Sequence, residues 1–419
     1  MKPLATLAVL ALTTLHLPAL DWPQWRGPQR DAVVSDPQHP LTKISSEPKI
    51  LWKVPAGEGQ ASPVLSKGRL VFLDSVSGNE TAHCLDAATG KEIWKATIAP
   101  TVQFQNNYGD GPRCTPLIDG DRLYVQSCSG EFQCLNFADG KLLWQVSFGK
   151  DYGATFLGNS SKDPEAKETA SRRHGNNGSP VVDGDRIFVP VGSTKGATLV
   201  CFDKLKGKEL WRAGSDNTAY ASLMIATLGG MRQAVHFTAD ALMGVDAAKG
   251  TILWRVPLKT GAKRHVCTPV ISGDTVTVAS TSIGTLKFKI SQQSGKWSAD
   301  QAWAAADLKT VIGTPVLANG HLYTQGAGSR TDLVCVNYET GATLWSQPGL
   351  GDYAALSVIN DRLLALNSTG ELLVLKLNPA KYELLGQFQA CGKTWTSPAY
   401  SDGKLFIKDG ANITAIQLD

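Results

Sequence analysis

No stretch of this 419-residue sequence is apolar for long enough to cross a bilayer as a helix. It has no Lys/Arg-rich run interleaved with aromatics, and its formal charge is only +4, so nucleic acid is not an expected partner. Histidines at metal-ligand spacing are missing around His174 and His265, which argues against a metal site. Also missing is a glycine motif in a strand-to-helix setting, and little of the chain reads as helix, so nucleotide folds are excluded. What remains is Gly-rich, moderately charged and full of turns, a globular all-β composition.

The first twenty residues carry Lys2, a Thr-interrupted apolar core from Leu4 to Leu15, and then Pro18-Ala19-Leu20. They read as a secretory signal peptide, residues 1–20, cleaved near Ala19 or Leu20. No Cys lies beside it to anchor a lipid, so a soluble periplasmic or secreted protein is expected. Residues 21–48 form an arm, in which Trp22 and Trp25 read as packing aromatics, and 49–419 one repeat domain.

Five turns share one spelling: Asp86, Asn136, Asp203, Asp246 and Asn337 are each followed four residues later by Gly and eight residues later by Trp. The Asp or Asn bonds its own backbone, the Gly takes a positive φ, and alternation then turns the Trp onto the neighbouring sheet. A second string begins at Ser62, Thr115, Ser179, Thr268, Thr314 and Ser397, each followed by Pro. Proline is excluded from central strands, so these are innermost edge strands. Looser copies at Ser222 and Ala355 bring the count to eight.

Outer strands carry Trp94, Trp144, Trp211, Trp254, Trp303 and Trp345, with Leu385 in place of a seventh Trp. The eighth, around Trp52, stands at the other end of the chain. An eight-bladed β-propeller of four-stranded antiparallel blades follows, closed by the Trp52 strand completing the C-terminal blade. A polar insert runs from about 148 to 177 between the second and third blades.

Of eight cysteines, Cys84, Cys134, Cys201 and Cys335 recur two residues before the turn Asp or Asn, and Cys114 and Cys267 precede Thr-Pro. Such recurrence marks small buried residues. Cys128 and Cys134 flank a short hairpin and are the one candidate disulfide, across its strands.

The Ala-Thr-Gly-Lys-Glu-Ile-Trp turn, repeated with Ser/Thr-Pro strands, resembles the pyrroloquinoline-quinone (PQQ) propeller family. That family includes quinoprotein alcohol dehydrogenases and the propeller lipoprotein of outer-membrane barrel assembly. The resemblance implies either a scaffold or a PQQ-dependent oxidoreductase with calcium. The adjacent cysteine pair that covers PQQ in those dehydrogenases is absent, so a non-catalytic role with no cofactor is the leading expectation.

Ligands of propellers meet the loops leading into the inner strands. Here these loops carry Arg113, His174, Asn177, Arg264, His265 and Trp395, with Arg172, Arg173, Lys263 and Lys393 beside them. The expected partner is a protein or a small anionic ligand, drawn to one basic mouth. The opposing expectation is a solvated rim balanced by Glu58, Asp110 and Asp352.

Overall fold

The computed structural model describes residues 20–42, 44–104, 109–154, 174–258, 260, 263–326 and 331–418. The leader, but for Leu20, lies outside the described residues, as do Arg172, Arg173 and most of the insert. Eight antiparallel sheets stand round a central channel. Blades 1 to 7 occupy residues 64–100, 117–147, 181–213, 224–257, 270–305, 316–347 and 354–389. Blade 8 takes three strands from 399–417 and its outermost from Lys49–Pro55, which pairs antiparallel with Asn412–Gln417. Among the described residues the one helix is Phe148–Tyr152, and none is long and apolar enough to cross a membrane.

The Ser/Thr-Pro string does more than mark an edge. The N–H of Ser62 donates to Thr115 Oγ1, that of Thr115 to Ser179 Oγ (3.1 Å), and that of Ser179 to Ser222 Oγ (3.0 Å). Thr268 reaches Thr314 in the same way, and Ser397 closes the circle on Ser62 at 2.9 Å. Each hydroxyl therefore satisfies a buried backbone donor of the preceding blade.

The turn glycines serve a second purpose too. The Cβ that Gly140 lacks would stand 2.6 Å from the Trp94 ring, and that of Gly207 2.6 Å from Trp144. The indole N–H of Trp52, Trp94, Trp144, Trp211 and Trp303 also donates to the carbonyl just past the turn Asp or Asn of the next blade, as Trp94 does to Phe137 and Trp211 to Ala247. Trp345 donates to the Asn378 carbonyl of blade 7. Blade 5, with its longer hairpin of Gly284–Gln293 and Lys296–Ala305, offers no such turn. Trp254 of blade 4 accordingly bonds Gln233 Oε1 instead, at 2.7 Å.

The same rule explains Leu385. Blade 8 draws its third and fourth strands from opposite ends of the chain, so it has no turn to receive an indole from blade 7. Ile44 of the arm covers that place, 2.7 Å from where a Cβ on Gly386 would stand. Blade 8 is tied onward to blade 1 by Lys408, fully buried, whose Nζ donates to the carbonyls of Gly57 and Gly59 (2.9 Å each) and of Asp409. Burial lowers this ammonium to about 8.

The arm enters the ring instead of lying beside it. Trp22 pairs with Leu65 of blade 1, Ile118 of blade 2 donates to Pro23, and Val33–Val34 runs parallel to Ala354–Ile359 of blade 7. Tyr400 of blade 8 donates to Asp36. Arg26 and Arg30, both buried and both with positive φ, reach up the channel. Arg26 donates to the carbonyls of Thr314 and Pro315, and Arg30 to those of Ser179, Pro180 and Leu223. These are inner-edge carbonyls with no further strand to pair with. Burial pulls Arg26 down to about 10 and Arg30 to about 9.

The Cys128–Cys134 bridge is not formed, for both thiols are free and buried. Gln126 pairs with Phe132 at the last rung, so Cys134 lies back along its strand opposite Tyr124 while Cys128 lies beyond the rung in the turn. That separates them by roughly four residue steps, about 13 Å, beyond the reach of a disulfide. Cys128 Sγ bonds the carbonyl of Gly111 at 3.1 Å instead.

Candidate functional site

The ring's mouth holds a cavity of about 360 Å³. Each blade contributes the residue two positions before its Ser, Thr or equivalent Ala: Gln60, Arg113, Asn177, Tyr220, Val266, Ile312, Tyr353 and Trp395. The geometry is simple. The loops arrive extended, so alternate side chains face the channel, and the hydroxyl itself fixes the phase. His174 and Arg264 line the cavity further out, and Trp25 of the arm reaches it from within the channel.

Five of the six residues singled out from sequence thus meet in one cavity: Arg113, His174, Asn177, Arg264 and Trp395. His265 does not. It stands between Arg264 and Val266, which face the cavity, and alternation sends its ring the other way, fully buried and stacked on Phe237 at 4.0 Å. Its Nδ1 lies 2.6 Å from the Thr238 carbonyl and its Nε2 3.2 Å from Thr260 Oγ1, while burial lowers its pKa. This histidine packs, and its own carbonyl positions Tyr220 by accepting that residue's N–H.

Arg113 is held in place by donating to Gln60 Oε1 (2.8 Å) and to the Gly109 carbonyl (2.7 Å), with its guanidinium over the Phe104 ring at 4.8 Å. Its buried Nε has no acceptor among the described residues. Arg264 is exposed, and among the described residues no ion pair includes either arginine. The expected counter-charges are engaged elsewhere: Glu58 accepts from the N–H of Asp110, Asp110 from that of Phe104, and Asp352 from Ser368. Lys263, by contrast, is paired with Asp240 at 3.2 Å, and Lys393 lies over Trp395. No carboxylate lines the cavity among the described residues.

Beneath Arg113 lies Glu80, which accepts from the N–H of Cys128 at 3.0 Å and is wholly buried. Burial pushes its carboxyl up to about 7, against the pull of that hydrogen bond and of Arg113.

Sequence reasoning missed Gln60, Tyr220, Tyr353 and Trp25 as lining residues. The first three obey the two-before rule, which was present in the repeat. Trp25, expected only to pack, donates its N–H to Thr268 Oγ1 at 3.0 Å and presents the rest of its ring to the cavity. Nothing local in the arm announced that it would enter the channel.

The model of the family described as outer membrane protein assembly factor BamB matches residues 42–171 and 162–381. A polyvinylalcohol dehydrogenase of Sphingopyxis sp. (strain 113P3) is 22% identical over 229 residues, 50% of this chain but 29% of that protein, so the chain spans less than a third of that relative. BamB from Moraxella catarrhalis superposes with a TM-score of 0.56 at 14% identity, over 87% of this chain and 98% of its own. A quinohemoprotein alcohol dehydrogenase from Pseudomonas putida HK5 does so with 0.51 at 10% identity, over 95% and 80%. At such identities the likeness establishes the propeller and nothing finer.

Proposed function

From the premise that the chain belongs to the PQQ-like propeller family described as outer membrane protein assembly factor BamB, we propose that it is an exported, non-catalytic propeller binding an anionic ligand at the mouth of the ring. One observation carries this reading: Arg113 and Arg264, from blades on different sides of the mouth, line an aromatic cavity in which no carboxylate stands among the described residues. Cations in a cleft focus their field on what enters it. Arg113 is also pre-organised by its own bonds, which lowers the ordering cost of binding.

The dehydrogenase relatives favour a second reading, a PQQ-dependent oxidoreductase. The two arginines suit the carboxylates of such a quinone. Calcium, however, takes oxygen ligands, mostly carboxylates, and the described lining has none; nor do the described residues hold any cluster of His, Cys, Asp and Glu fit for a metal. The described residues of the mouth do not fit a calcium-bearing quinone centre.

Calorimetric titration with acetate, benzoate and citrate at low and physiological salt tests the anion site. Saturable binding that weakens with salt and falls about tenfold or more in Arg113→Ala/Arg264→Ala supports it. Binding indifferent to both substitutions overturns it.

A further inference from the structure

The lining is not evenly polar round the ring. In an eight-membered ring blade 2 lies opposite blade 6 and blade 3 opposite blade 7. Arg113 of blade 2 therefore faces Val311 and Ile312 of blade 6, and His174 and Asn177 of blade 3 face Tyr353 of blade 7, with Trp395 alongside. The wall of blades 2 and 3 is cationic and hydrogen-bonding, and that of blades 6 to 8 aliphatic and aromatic, with Arg264 of blade 5 at its edge. Val311 leaves 37% of its surface exposed at the lip, an apolar side chain that none of the described residues covers.

Resting on the anion site proposed above, we infer that the ligand is an amphiphilic monocarboxylate: a carboxylate head at the Arg113 wall and one apolar body laid across Trp25 against Val311, Ile312 and Trp395. A compact polyanion would satisfy the arginines yet leave charge against the apolar wall, which is unfavourable unless paired. A neutral apolar molecule would cover that wall but leave the cations as they are. A cavity of about 360 Å³ lies at the small end of ligand sites and suits a body of medium length.

Octanoate, acetate, octanol and citrate are the probes, titrated into the full mature chain by calorimetry. Each buried methylene strengthens binding roughly fourfold, so octanoate should bind at least tenfold tighter than acetate, and tighter than octanol. Val311→Asn, an uncharged polar change at an exposed position, should weaken octanoate several-fold and leave citrate unchanged. Arg113→Ala should weaken both carboxylates but not octanol. If citrate binds through the arginines while octanoate is no better than acetate, the amphiphilic reading falls and the anion site stands. If no anion binds at all, both fall. Octanoate binding untouched by Val311→Asn would also overturn the inference, by placing it elsewhere on the surface.

Discussion

The indole Nε1 of Trp52 donates to the carbonyl of Ala87 at 3.0 Å, while the Cβ that Gly90 lacks would fall 2.8 Å from the same ring. The strand that completes blade 8 is therefore clasped by the first turn of blade 1. Closure depends on two joints: a backbone ladder to Asn412–Gln417 on one side and a side-chain socket on the other.

Trp52→Ala should cost about 3 kcal/mol, the lower end for a large aromatic because the ring is only half-buried. Gly90→Ala should cost more than Gly68→Ala. Both glycines have positive φ, but a Cβ on Gly68 meets nothing within 4 Å whereas one on Gly90 strikes the indole. Urea melts of the three variants check the order, and equal costs for the two glycines would refute the socket.

Deleting residues 21–56 removes the closing strand and the arm together, leaving Asn412–Gln417 as an open sheet edge. Aggregation, or loss of a single cooperative transition, is the expected result in light scattering and calorimetry. Within the arm, Arg30→Ala strands the carbonyls of Ser179, Pro180 and Leu223 and should cost roughly 3 kcal/mol or more.

Glu80 makes stability depend on pH in an unusual direction. Its carboxyl holds a proton up to about 7, well above the range of an unfolded carboxyl, so the folded state binds the extra proton and stability falls as pH rises towards 7, then levels. The groups felt by it are Arg113 and the buried thiols of Cys114 and Cys128. Glu80→Gln keeps an oxygen for the Cys128 N–H, and should exceed the parent by on the order of 3 kcal/mol at pH 8 while matching it below about pH 4. Denaturant melts across that range decide; a constant difference would locate the effect in packing.

All eight cysteines are free thiols. Unfolded without reductant, the protein should take up eight equivalents of a thiol reagent, and two fewer would restore a disulfide. Folded, it should react slowly and first at Cys391, the one thiol that is not fully buried.

The blade count, the closing strand and the place of each outer-strand Trp were legible because turns and edge strands are local chemistry repeated at fixed spacing. Leu385 was legible only as an exception; its reason, a blade without a turn, needed the closed ring. At the mouth, Arg113 and Trp395 could be named because they sit in the loops before the inner strands. His265 was misplaced because the loop's phase had not been read from Thr268, three residues on. The recurrent cysteines were legible as small buried residues, but the separation of Cys128 from Cys134 was not, and the course of the arm was out of reach because it depends on contacts between residues far apart in sequence.

Blades so alike could in principle be assembled in other numbers, because each interface resembles the next. The arm removes that freedom. Arg30 must find blades 3 and 4, Arg26 blade 6, Val33–Val34 blade 7 and Asp36 blade 8, each at a set distance along one short peptide. A ring of seven or nine units would present these acceptors at the wrong angles. The segment is thus a gauge of circumference, and it assigns every sector of a nearly symmetric body its own address.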